Sequence, residues 1–147
     1  MSEIVVQLSI LLHLFIAGGC GIVVGLQSEL RERPGGLRTH ALTAMGAALF
    51  VITALQMTEN RQEAIRVIQG VASGVGFIGA ATVFTRSGSV RGVATAASIW
   101  IAAAIGCAVA AGQWGTAIAS ALFATAVNAL ALRLQRRFGS GNGEGQQ

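Results

Sequence analysis

Five long apolar stretches, separated by short segments that carry nearly all of the charge, leave this chain few ways to fold. They lie at about Ile4 to Leu26, Ala41 to Met57, Val67 to Thr85, Val93 to Ala111 and Trp114 to Leu132. Each is near the roughly 20 residues that a helix needs to cross a bilayer. An unpaired backbone group is costly in hydrocarbon, so such runs are expected as helices rather than as open strands. The expected fold is an all-α membrane protein, a bundle of about five transmembrane helices spanning residues 1–134.

The composition agrees, with 53% hydrophobic residues against 11% charged, well beyond the balance of a soluble domain. All ten basic residues are arginine and all six acidic residues are glutamate. They fall mostly between the apolar runs, so the net charge of +4 reports on topology. No basic stripe with interleaved aromatics is present, and nucleic acid is not an expected partner. Cys20 and Cys107 each sit inside an apolar run without neighbouring His or Asp, which reads as two small buried residues rather than a metal site or a disulfide. The opening segment, MSEIVVQLSILLHLF, carries Glu3 where a signal peptide would carry basic residues, so the first run is expected to be retained.

Eight of the ten arginines (Arg31, Arg33, Arg38, Arg86, Arg91, Arg133, Arg136 and Arg137) fall in the first and third loops or after the last run; Arg61 and Arg66 fall in the second loop. By the positive-inside rule the N-terminus is expected outside, and the two arginine-rich loops and the C-terminus in the cytoplasm. Residues 135–147, ending in GSGNGEGQQ, are expected as a short disordered cytoplasmic tail.

AGGCGIVVG (Ala17 to Gly25) matches ASGVGFIGA (Ala72 to Ala80) in its pattern of small and apolar residues, and GLRT (Gly36 to Thr39) matches GVAT (Gly92 to Thr95). This reads either as a parallel internal repeat, pairing helices 1-2 with helices 3-4, or as the ordinary recurrence of small residues in membrane helices. If the repeat holds, the first and third helices should meet through glycine faces. The candidate helix-packing residues are Gly21, Gly25, Gly70, Gly74, Gly76 and Gly79, because small residues let backbones approach closely in lipid.

Polar chemistry has few carriers. Thr39 and Thr95 read as caps of the second and fourth helices. Arg38 reads either as a lipid anchor or as the partner of a nearby carboxylate, and a cytoplasmic-border cluster of Glu29, Arg38, Thr39 and Thr95 is the expected arrangement. Glu29 and Glu32, three apart, are weak candidates for holding Mg²⁺, with neutralisation by the interleaved Arg31 and Arg33 as the competing reading. His13 lies midway along the first run and is expected to face the bundle as neutral histidine. Gln7, Gln69 and Asn128 read as hydrogen-bonding glue between helices. No Ser/His/Asp set, aspartate pair or His cluster is visible, so an enzyme is not expected and no cofactor is implied beyond that candidate Mg²⁺.

Two segments, GIVVGLQSELRERPGGLRTHALTAMGAALFV and VASGVGFIGAATVFTRSGSVRGVATAASIWIAAAIGCAVAAG, resemble the MgtC/SapB family of bacterial inner-membrane proteins. The family pattern is a Gly-Leu-Glu-Arg turn, Ala-Gly-Leu-Arg-Thr-His, Ser-Gly-Ile-Gly-Phe-Leu-Gly-Ala-Gly and a Gly-Leu-Thr-Thr-Ala-Ala-x-x-Trp run. It falls here on Gly25, Leu26 and Glu29, then on Gly36, Leu37, Arg38 and Thr39. Further along, it falls on Gly74, Gly76, Phe77 and Gly79, and last on Gly92, Thr95, Ala96, Ala97 and Trp100. The chain departs from the pattern at Gln27 and Ser28 in place of Glu-Arg, at Ala81 in place of a glycine, and at Ala94 in place of the first threonine. Gln27 removes the most obvious cation ligand of the turn.

What the resemblance implies is a multi-pass inner-membrane protein linked to growth under magnesium limitation and, in pathogens, to survival inside host cells. Many relatives carry a soluble C-terminal regulatory domain, and regulation of that kind is not expected of this chain. The expected function is a membrane-embedded modulator of ion or energy homeostasis, with the lipid bilayer, its own copies or another membrane protein as partners. A small transporter or channel for Mg²⁺ or another cation is the alternative.

Overall fold

The structure, a computed structural model, describes residues 2–30, 35–58, 60–86 and 89–138. Glu32, with Arg31 and Arg33, and the tail from 139 lie outside the described residues. The five expected helices are present as α1 (Ser2–Glu29), α2 (Leu37–Met57), α3 (Arg61–Ala80), α4 (Val93–Ala110) and α5 (Trp114–Phe138). α1, α2, α4 and α5 are each long and apolar enough to cross a membrane. α3 carries Arg61, Glu63, Arg66 and Gln69 in its first half. Gly79, near its end, lies against Ala96 in the first turn of α4. α5 continues through Phe138, four residues beyond the boundary expected for the membrane domain.

Two boundaries differ from the hydropathy reading, and each for a polar reason. α2 begins at Leu37 rather than Ala41: the Glu29 carboxylate accepts the Leu37 N–H at 3.0 Å, which lets the polar residues Arg38 and Thr39 enter the helix. α3 begins at Arg61 because the Asn60 side chain accepts the Gln62 N–H at 2.9 Å. It ends at Ala80, and the residues expected to finish the third span instead form an antiparallel hairpin, β1 (Phe84–Arg86) with β2 (Ser89–Arg91), pairing Phe84 with Arg91 and Thr85 with Val90. Gly92 then turns the chain into α4 with φ +88, and a Cβ there would collide with the Thr82 carbonyl. A residue other than glycine is strained on both counts.

α4 touches every other helix, α2 touches α1, α3 and α4, and α5 lies against α1 and α4. Ala17 and Val24 of α1, Ala44, Ala48 and Val51 of α2, and Ile99, Ala102 and Val109 of α4 form the most deeply buried apolar core. Cys20 and Cys107 are buried and unpaired with each other. Outward-facing Ile4, Leu8, Phe15, Phe50, Leu122 and Phe123 give the bundle an apolar exterior suited to lipid.

The glycine faces divide. A Cβ on Gly21 would lie 2.6 Å from the His40 carbonyl oxygen, and one on Gly25 2.9 Å from Leu37 Cα, so the α1 glycines pack on α2 and not on α3 as expected. Gly79 makes ordinary contact with α4, whereas Gly70, Gly74 and Gly76 face open space. Gly70 and Gly74 line a broad apolar groove of about 670 Å³ between α2 and α3. α2 and α4 both start directly after the glycines that the sequence match aligns, Gly36 and Gly92, but Gly21 and its counterpart Gly76 sit in unlike surroundings. The packing therefore lends the repeat no support. Close contact also falls at a glycine the sequence reading passed over: Gly106 of α4, whose Cβ would strike the Ala44 carbonyl.

Replacing Gly21 with Leu or Gly106 with Val should therefore overpack the α1–α2 or α2–α4 contact and lower stability by about 1–3 kcal/mol, measured by thermal unfolding in detergent. Gly76→Leu, by contrast, should leave the unfolding midpoint of the monomeric fold close to wild type.

Candidate functional site

The close approach of α1 and α4 to α2 encloses one polar side chain completely. His40, one turn into α2, has no exposed surface. Its Nδ1 lies 2.9 Å from the Gly36 carbonyl oxygen and its Nε2 2.8 Å from Ser98 Oγ of α4. Ser98 Oγ is also 2.8 Å from the Thr95 carbonyl oxygen. A carbonyl can only accept, so Nδ1 carries a proton toward Gly36. The Ser98 hydroxyl donates to the Thr95 carbonyl and lies against Nε2 of His40, so one buried hydroxyl ties the histidine of α2 to the first turns of α4.

Around this pair the expected border cluster is rearranged. Thr95 is buried, but it lies inside the first turn of α4 and Gly92 holds the cap position. Thr39 is likewise inside α2, whose cap is Gly36 without a side-chain bond. Glu29 is near, yet its carboxylate goes to the Leu37 N–H at the start of α2, where the helix dipole favours negative charge. Arg38 is exposed, and no hydrogen bond joins it to Glu29 among the described residues. The physical reason is competition: a helix N-terminus offers Glu29 a fixed backbone donor beside it, whereas Arg38 points outward. Glu29 is thereby a cap; no group of three or more metal-ligating His, Cys, Asp or Glu side chains occurs among the described residues.

Gln27, the departure from the family turn, joins α1 to α5. Its Nε2 donates to the Thr125 carbonyl at 2.8 Å, while the Thr125 hydroxyl lies 3.3 Å from the Val23 carbonyl oxygen. Asn128, expected as helix-to-helix glue, lines a small polar cavity together with Gln27, Ser28, Thr95, Ser98 and Gln135. At the opposite end, His13 Nδ1 donates to the Ser9 carbonyl at 2.7 Å, and its ring meets Trp114 edge-on at 5.2 Å. The first helix thus contacts the start of α5 through an aromatic pair that the sequence reading did not name.

Sequence reasoning gave His40 no role, although it stands where the family pattern ends in histidine, and passed over Ser98. The available signal was polarity in an otherwise apolar context: a histidine one turn after the glycine that starts α2, and a serine one turn into the apolar run of α4. Ser98→Ala removes a buried partner from His40, and the expected loss is about 1–3 kcal/mol by thermal unfolding. Glu29→Ala removes a cap and should cost about 1 kcal/mol. Arg38→Lys should leave stability within about 0.5 kcal/mol of wild type, as an exposed side chain without a fixed partner would.

The MgtC family model matches residues 14–137. The chain is 35% identical over 130 residues to Protein MgtC of Salmonella typhimurium, covering 88% of this chain and 55% of that protein. It is 37% identical over 137 residues to Protein SrpB of Synechococcus elongatus, covering 84% of this chain and 75% of that protein. To Protein MgtC of Brucella abortus it is 39% identical over 116 residues, covering 79% and 47% respectively. It spans about half the length of the Salmonella and Brucella relatives. No solved structure matches. With helices α2 to α4 wholly inside the matched region and α1 and α5 mostly so, this membrane-spanning chain belongs to the MgtC family.

Proposed function

We propose that this protein is a membrane-embedded modulator that supports the bacterial cell under magnesium limitation, acting by contact and not by catalysis. The observation that carries this reading is the filled centre of the bundle. Ala44, Ala48, Val51, Ile99, Ala102 and Val109 occupy the space between α2 and α4, where a conducting path would need polar groups or water. Its site of action is the inner membrane, with lipid, its own copies or another membrane protein as partners and no resident cofactor. The apolar exterior and the open glycine face of α3 favour helix contacts of this kind. The arginine asymmetry favours an N-terminus outside and a C-terminus inside.

A second reading, a small cation transporter, draws on the polar cavity between α1, α4 and α5. Proteoliposomes distinguish the two. A modulator restores growth of a deletion strain in low magnesium while the purified protein passes no Mg²⁺ across vesicles; Mg²⁺ flux above empty vesicles selects the transporter. For orientation, a Cys at Val90 of the hairpin should be labelled only after the inner face is opened, and one at Met57 from outside. The reverse pattern would overturn the assignment.

A further inference from the structure

A small cavity of about 80 Å³ lies between the last turn of α1, the first two turns of α4 and the second half of α5. Six of its lining residues are polar and uncharged: Gln27, Ser28, Thr95, Ser98, Asn128 and Gln135. One group there is unmatched. With Nε2 of Gln27 given to the Thr125 carbonyl, Oε1 is buried without a hydrogen-bond partner among the described residues. Reversing the amide would set two carbonyl oxygens against each other, so the orientation is fixed by its neighbour. A buried acceptor left in this state is destabilising, and it calls for a donor or a cation.

Two helix ends favour a cation. Gln27 and Ser28 are in the last turn of α1 and Gln135 is in the last turn of α5, so the negative ends of two helix dipoles converge here; the positive end of α4 and the outward-facing Arg133 and Arg137 of α5 oppose them. The lining groups supply amide and hydroxyl oxygens and no carboxylate. Mg²⁺ gives up its water reluctantly and is bound through carboxylates, which this lining lacks. Glu29, two residues on, is engaged at the start of α2.

The geometry points to a binding site for a single, largely dehydrated monovalent cation, Na⁺, held by Gln27 Oε1 with side-chain oxygens of Ser28, Thr95 and Asn128. Ser98 is already engaged with His40 and with the Thr95 carbonyl, so it borders the site and links the occupant to the buried histidine. The inference concerns a bound ion and stands whether the protein acts as a modulator or as a transporter.

The test uses purified full-length protein in detergent at fixed ionic strength, with choline chloride exchanged for NaCl. The unfolding midpoint of wild type should rise saturably with Na⁺, and MgCl₂ at matched ionic strength should give no saturable rise. Gln27→Leu should abolish the difference between the two monovalent salts, a comparison made within one variant and so independent of its absolute stability. Gln27→Glu, nearly the same shape with a charge added, should lower the half-saturating Na⁺ concentration about tenfold and admit a response to Mg²⁺. Sodium NMR line broadening by folded protein, lost in Gln27→Leu, reads the same occupancy without unfolding. An identical midpoint for wild type in choline and sodium, or a sodium response that survives in Gln27→Leu, overturns the site.

Discussion

The backbone of α2 is gripped on two sides by glycines from other helices. Gly21 and Gly25 of α1 admit the carbonyl of His40 and the Cα of Leu37, and Gly106 of α4 admits the carbonyl of Ala44. In lipid the hydrophobic effect does not draw apolar helices together, so van der Waals fit and interhelical hydrogen bonds must do it. Where a glycine lets two backbones touch, many weak contacts form at once and the helices lose the freedom to slide. The remaining helices arrange themselves around this α1–α2–α4 unit.

Tight approach has a polar consequence. It leaves His40 no exposed surface, so that side chain must find its partners within the protein. His40 does so with Gly36, the cap of its own helix, and with Ser98 of α4. Its geometry therefore depends on the glycines that closed the space, and the α2–α4 register depends in turn on the histidine. Glu29 adds a third tie by binding the free N–H of Leu37. Three different interactions thus converge on the start of α2, which explains why polar residues there fold as helix while comparable residues after α3 fold as a hairpin.

How much of this was legible in the sequence follows from what each feature depends on. Helix number and approximate span are set by hydrocarbon thickness and backbone satisfaction, so runs of apolar residues disclose them. The start of α2 was misplaced because its cap, Glu29, comes from a different helix, and hydropathy sees only neighbours along the chain. The hairpin had a local signal: TVFT and SVR flank the Ser87-Gly88 pair with β-branched and aromatic residues. Apolar content hid it inside a presumed span. The glycines were recognised as packing residues, but Gly21 and Gly76 are indistinguishable by type; only the neighbour brought opposite each one separates a contact from an open face. The Arg38–Glu29 pair failed for a related reason, since a carboxylate close in sequence to an arginine was closer in space to a free backbone N–H.

Gln27 gains meaning from the same geometry. The family pattern places an acid at this position, and an ionised glutamate has no hydrogen to give the Thr125 carbonyl that Gln27 Nε2 engages. With an acid there, both oxygens would need a proton or a cation. The amide answers half of that demand from within the fold, by tying α1 to α5, and leaves one buried oxygen outstanding. An amide in place of an acid therefore lowers the charge of the cavity without removing its polarity, and this suits the singly charged ion proposed for it better than a doubly charged one.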